Sequence, residues 1–117
     1  MIQAKYDREE RTFQFARRIR IFIKELPMNR SNIEDSKQLI RSSGSVGANY
    51  IKANESLGKK DFLMKMKICR KEAKESAFFI RLIKETNDHK LSEEAKNLLN
   101  EAIELKKIFS AIINKSS

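Results

Sequence analysis

The chain has 117 residues, 40% of them hydrophobic and 35% charged, with 3 Gly and 1 Pro, so a single domain over residues 1–117 is expected and a many-stranded all-β architecture, which needs more turn-formers, is excluded. Lys and Arg number 25 against 16 Asp and Glu, a formal charge of +9. A surface that basic attracts polyanions before any specific contact forms.

A first helix is expected over residues 7–26, because Phe15, Ile19, Phe22 and Leu26 recur at steps of four, three and four, with Ala16 and Ile23 widening the stripe. Pro27 ends it. Ser31-Asn32-Ile33-Glu34 reads as a capping box that opens a second helix, expected to run to residue 56. Two glycines, Gly44 and Gly47, stand in its middle, each costing about 1 kcal/mol relative to Ala. Close helix packing offsets that cost, around Leu39, Ser43, Val46 and Tyr50 on one edge and Ile40, Gly47 and Ile51 on the other. A loop between two shorter helices is the alternative. The Gly44-x-x-Gly47 spacing is reminiscent of a backbone clamp in one RNA-binding module, but that module needs a βα framework the sequence does not offer.

Gly58 is read as a helix C-terminal residue, followed by a third helix over 60–86. Its core seam, Phe62, Met66, Cys69, Ala73, Ser76, Ile80 and Ile83, alternates steps of four and three, as a helix packed nearly antiparallel to its neighbours does. After a polar turn at 87–91, Ser92 is read as the N-cap of a fourth helix to residue 114, with Ala95, Leu98, Ala102, Leu105, Phe109 and Ile112 inward. The fold class is therefore all-α, an antiparallel up-and-down four-helix bundle.

The N-terminal MIQAKYDREER has no apolar secretory stretch, and the longest uncharged run, 42–51, is far short of the roughly 20 residues a membrane helix needs. A cytoplasmic protein with no membrane partner is expected. The single cysteine, Cys69, can form no intramolecular disulfide and lies on the apolar seam, where a thiol is inert. His89 falls in a polar turn, and no inward Glu-x-x-His pair occurs to hold a di-iron site. Glu72 and Glu75 could form an acid and base pair, but Lys71 and Lys74 beside them point to salt bridges. The sequence gives no evidence of catalysis, and no metal or cofactor is expected.

Basic residues exceed acidic ones by four in 1–30 and by five in 59–90, and the two balance elsewhere. Lys60, Lys67, Lys71 and Lys74 project to one side of the third helix, and Arg17, Arg20 and Lys24 share the outer side of the first. These stripes are read either as solvated faces or as a surface contacting nucleic-acid phosphates. Most of the seven Phe fall on inward stripes, so base-specific reading is not expected. Met64, Ile68, Phe79 and Leu82 project to the back or back edge of the third helix, and with Phe13 and Ile21 they suggest a second buried surface, for which self-association is the commonest use.

The segment 41–51, RSSGSVGANYI, followed by Ala53-Asn54-Glu55-Ser56, by Lys59-Lys60-Asp61-Phe62 and by 67–76, KICRKEAKES, resembles the four-helix bundle proteins named after the 23S rRNA intervening-sequence protein. That resemblance implies an antiparallel bundle assembling as a homopentamer, and it extends to a basic accessory protein of diversity-generating retroelements that contacts a reverse transcriptase and nucleic acid. It brings no catalytic residues. It implies structural roles for Ser43, Gly47, Asn49, Glu55 and Glu75. The function expected is thus non-enzymatic, homo-oligomeric binding of nucleic-acid phosphates without strong sequence specificity. The alternative is a scaffold or accessory subunit whose basic face receives an acidic protein.

Overall fold

A computed structural model describes residues 2–117, with side chains from Asp7 onward. Four helices follow one another: α1 (Ile2–Lys24), α2 (Arg30–Asn54), α3 (Lys59–Thr86) and α4 (Ser92–Ser116), the last preceded by a 3-10 turn at His89–Leu91. At 1.5 Å per residue such helices reach about 35–42 Å, in keeping with a body of 45 × 23 × 19 Å.

One apolar seam from each helix meets in the middle. Phe15, Ile19 and Phe22 of α1, Leu39, Val46 and Tyr50 of α2, Met66, Ala73, Ile80 and Ile83 of α3, and Leu98, Leu105 and Phe109 of α4 are withdrawn from water. Each helix packs on its neighbours in sequence, α1 also touches α4, and α1 and α3 stand diagonally. Partners step in opposite directions. Arg11 and Arg18 of α1 meet Glu101 and Glu94 of α4 at 2.7 and 3.1 Å, and Asn32 and Ser42 of α2 meet Asn87, the C-cap of α3, and Ser76 of α3 at 2.8 and 2.9 Å.

Helix ends depart from the expectations. Asn29, not Ser31, caps α2, because its side-chain oxygen accepts from the Asn32 backbone N–H at 2.9 Å while the Ser31 hydroxyl merely donates to that same oxygen. α2 ends at Asn54 through backbone bonds from Glu55 to Ile51 and Lys52. Gly58 is therefore not its terminator; it is the extended residue ahead of α3, at φ −146° and ψ 161°. Leu91 rather than Ser92 caps α4, and no side chain takes part, because the 3-10 turn already leads the backbone into the helix.

α2 runs unbroken through its two glycines, so the loop alternative fails. A Cβ on Gly47 would sit 3.1 Å from Thr12 Oγ1 and 3.4 Å from Thr12 Cβ, and Thr12 is buried on α1. The small residue thus lets α1 approach α2. That approach also corrects the second expected edge of α2. Gly47 faces α1, whereas Ile40 and Ile51 remain exposed beside it.

Candidate functional site

Lys60, Lys67 and Lys71, with Leu63, Met64 and Ile68, line an open depression of about 450 Å³ on the outside of α3. Lys74 continues the exposed face one turn further along. Among the described residues no carboxylate lies within salt-bridge distance of Lys60, Lys67, Lys71 or Lys74, whereas Lys65 pairs with Asp61 and Lys84 with Glu85.

Arg17, Arg20 and Lys24, with Phe13, Ala16 and Ile21, line a second open depression of about 490 Å³ on α1. The diagonal placing of α1 and α3 keeps the two basic sets on different sides of the bundle. Arg20 is not the free cation expected of a phosphate ligand. Its guanidinium donates to the Ala16 and Ile40 carbonyls at 2.9 and 3.3 Å and to the Ser43 hydroxyl at 3.4 Å, lying over Gly44. Arg17 makes only a 3.5 Å contact with Gln14.

The apolar set divides. Phe13 (60%), Ile21 (46%) and Met64 (53%) are exposed. Ile68 and Leu82 are half-buried. Phe79 is half-buried too, on the edge of that face and packed against the core. Its neighbour Phe78 is the exposed ring, at 58%, meeting Phe79 in a T-shaped contact with centroids 5.2 Å apart. Sequence reasoning also missed an apolar edge running from the α1–α2 connection along α2, where Met28, Ile33, Ile40 and Ile51 stand exposed. The cationic and apolar residues are not on separate surfaces, since each depression holds both.

The residues weighed for chemistry are structural or solvated. Glu72 and Glu75 pair with Arg41 of α2, not with Lys71 or Lys74. Arg41 Nη1 donates to Glu72 at 3.0 Å and Nη2 donates to Glu75. The two carboxylates keep the guanidinium charged, with Glu72 the stronger contributor. Cys69 is fully buried, its Sγ 3.5 Å from the Val46 carbonyl, and burial pushes its thiol up to about 12. His89 is exposed in the turn. Among the described residues no cluster of His, Cys, Asp or Glu is arranged to hold a metal ion, and no helix is long and apolar enough to cross a membrane.

The residues that the resemblance marks as structural divide as well. Ser43 accepts from Arg20, Gly47 admits Thr12, and Glu75 binds Arg41. Asn49 bonds within its own helix, to Ser45, and Glu55 is exposed.

No curated protein sequence matches the chain. The fold is similar to that in the crystal structure of a protein of unknown function from the S23 ribosomal protein family of Bacteroides thetaiotaomicron. The TM-score is 0.82 and the identity 28%, over 94% of this chain and 97% of that one. Residues 5–111 match the 23S rRNA-intervening sequence protein family, nearly the whole bundle including the Arg41–Ser76 segment, and the chain belongs to that family.

Proposed function

We propose that this is a non-enzymatic, homo-oligomeric protein that binds RNA or DNA through phosphate contacts without strong sequence preference. The observation that carries the reading is the row Lys60, Lys67, Lys71 and Lys74, four exposed cations on one helix face with no carboxylate partner among the described residues. Unpaired cations on one face give a polyanion several counterion-releasing contacts at once. Arg17 and Lys24 add cations on α1, with Arg20 contributing charge rather than free donors. Exposed Phe13, Ile21 and Met64 support self-association, because burying such a side chain is worth about 1.5–3 kcal/mol. Closure into five subunits rests on the family resemblance.

Titration of fluorescent RNA and DNA at two salt concentrations tests the binding. Affinity should fall steeply with salt, and no detectable binding at low salt would remove the reading. Light scattering tests assembly, and a monomer at micromolar concentration would remove that part.

The mixed depression of Lys60, Leu63, Met64, Lys67, Ile68 and Lys71 favours a second reading. An acidic amphipathic segment of a protein partner would find both apolar contact and opposite charge there, as an accessory subunit would offer. Binding of such a partner with no nucleic-acid binding at low salt would select this alternative.

A further inference from the structure

Phe78 is a large aromatic ring held in place yet left mostly in water. Its T-shaped contact with Phe79 anchors it to a residue packed on the core, while 58% of it stays exposed. Its surroundings are cationic. Lys74 and Arg81 lie four residues before it and three after, and Lys71 lies seven before, so all share its side of α3. All three are exposed and unpaired among the described residues. The nearby acids are engaged elsewhere, Glu75 with Arg41 and Glu85 with Lys84.

A phenyl ring has no polar atom and reads no base edge by hydrogen bonding. It can offer a face to another π-system. In a duplex the base faces are already covered by their neighbours, whereas a single strand presents them. A second copy of this chain bringing its own cationic face here would meet like charge, and a polyanion meets opposite charge. From these observations we propose that Phe78 is a stacking platform for an unpaired base, with Lys71, Lys74 and Arg81 holding the adjoining phosphates, so that the chain's preferred nucleic acid is single-stranded. This rests on the nucleic-acid reading above and adds to it a strand preference and a base contact. Stacking tolerates any base, which agrees with low sequence specificity.

The test uses the full chain, with fluorescein-labelled oligouridylate, oligothymidylate and a duplex of equal length as probes. Wild type should bind the single strands more tightly than the duplex. Phe78→Ala should weaken single-strand binding by about 5- to 100-fold, leave duplex binding and the salt slope in place, and leave the oligomeric state unchanged. Phe78→Trp should keep the affinity, and its emission should be quenched by the single strands and not by the duplex. Lys74→Gln, by contrast, should lower the salt slope. Equal loss on single strand and duplex, no loss on either, or a smaller assembly in Phe78→Ala would each overturn the stacking role while leaving phosphate binding intact. Absence of binding by wild type to every probe would overturn both.

Discussion

Arg41 of α2 donates to Glu72 of α3 at 3.0 Å, and Glu72 is only 6% exposed, so one half-exposed guanidinium is what a nearly buried carboxylate has for a counter-ion. Removing the cation strands the anion. Because Arg41 is open to solvent, the full cost of breaking a buried pair is reduced by screening. Arg41→Ala should therefore destabilise the bundle by about 2 kcal/mol in urea denaturation. Glu72→Gln should cost less, and the double variant should show a coupling of about 1 kcal/mol. Strict additivity would remove the pair from the account of α2–α3 stability.

The two helical glycines should respond oppositely to Ala. A Cβ on Gly44 would meet only Arg20 Nη2, the movable end of a long side chain, whereas one on Gly47 would press on Thr12 near its backbone. Gly44→Ala should stabilise by about 0.5–1 kcal/mol through helix propensity. Gly47→Ala should lose that gain to the forced separation of α1 from α2. Thermal denaturation showing equal stabilisation at both positions would contradict the close approach of Thr12.

Capping can be assigned by substitution. Asn29→Ala should cost about 1 kcal/mol, since it removes the acceptor of the Asn32 N–H, while Ser31→Ala should cost a few tenths. The reverse order in chemical denaturation would restore the capping box expected from Ser31 and Glu34.

Cys69 makes a pH prediction whose sign follows from its raised value. The unfolded thiol ionises near its ordinary value of 9.0 and the folded one only at about 12, so the native state keeps a proton that the unfolded state releases. The associated stability is complete below pH 9 and is lost as pH rises toward 12. Cys69→Ala should flatten that part of the stability curve relative to wild type. At neutral pH iodoacetamide should alkylate Cys69 only as fast as the chain opens, and rapid modification of native protein would contradict its burial.

The seam of α3 was legible because each of its residues repeats the same angular step, and nothing but depth in the core satisfies so long a run of apolar positions. The edges of the wheel were not. Phe79 and Phe78 are adjacent in sequence, and which of them turns inward depends on where α2 and α4 stand around α3, which no local pattern states. The partner of Glu72 lies 31 residues away, so the nearby Lys71 and Lys74 were the wrong neighbours to consider. Ile40 and Ile51 read as an inner edge because two glycines beside them signal close packing. That packing brings Thr12 to Gly47 and Arg20 over Gly44, and the isoleucines stay outside. The cationic rows on α1 and α3 were visible in the sequence, but not that Arg20 spends its donors on α2.

The reciprocal amide pair of Asn32 and Asn87 gives the bundle a single setting. A seam built from Leu, Ile and Ala is nearly periodic, and sliding α3 along α2 by about seven residues would keep much of its apolar contact. A slip that sets Asn32 against Ile80 also sets Ser42 against Cys69, stranding groups that now bond to each other at 2.8–2.9 Å. Asn32 also holds the Pro27 carbonyl at 3.0 Å and Asn87 the Ile83 carbonyl at 2.8 Å, so the lock joins the α1–α2 corner to the far end of α3. The polar contacts thus act like the notch in a ruler. They fix the height at which the outer face of α3 is displayed, identically in every copy of the chain.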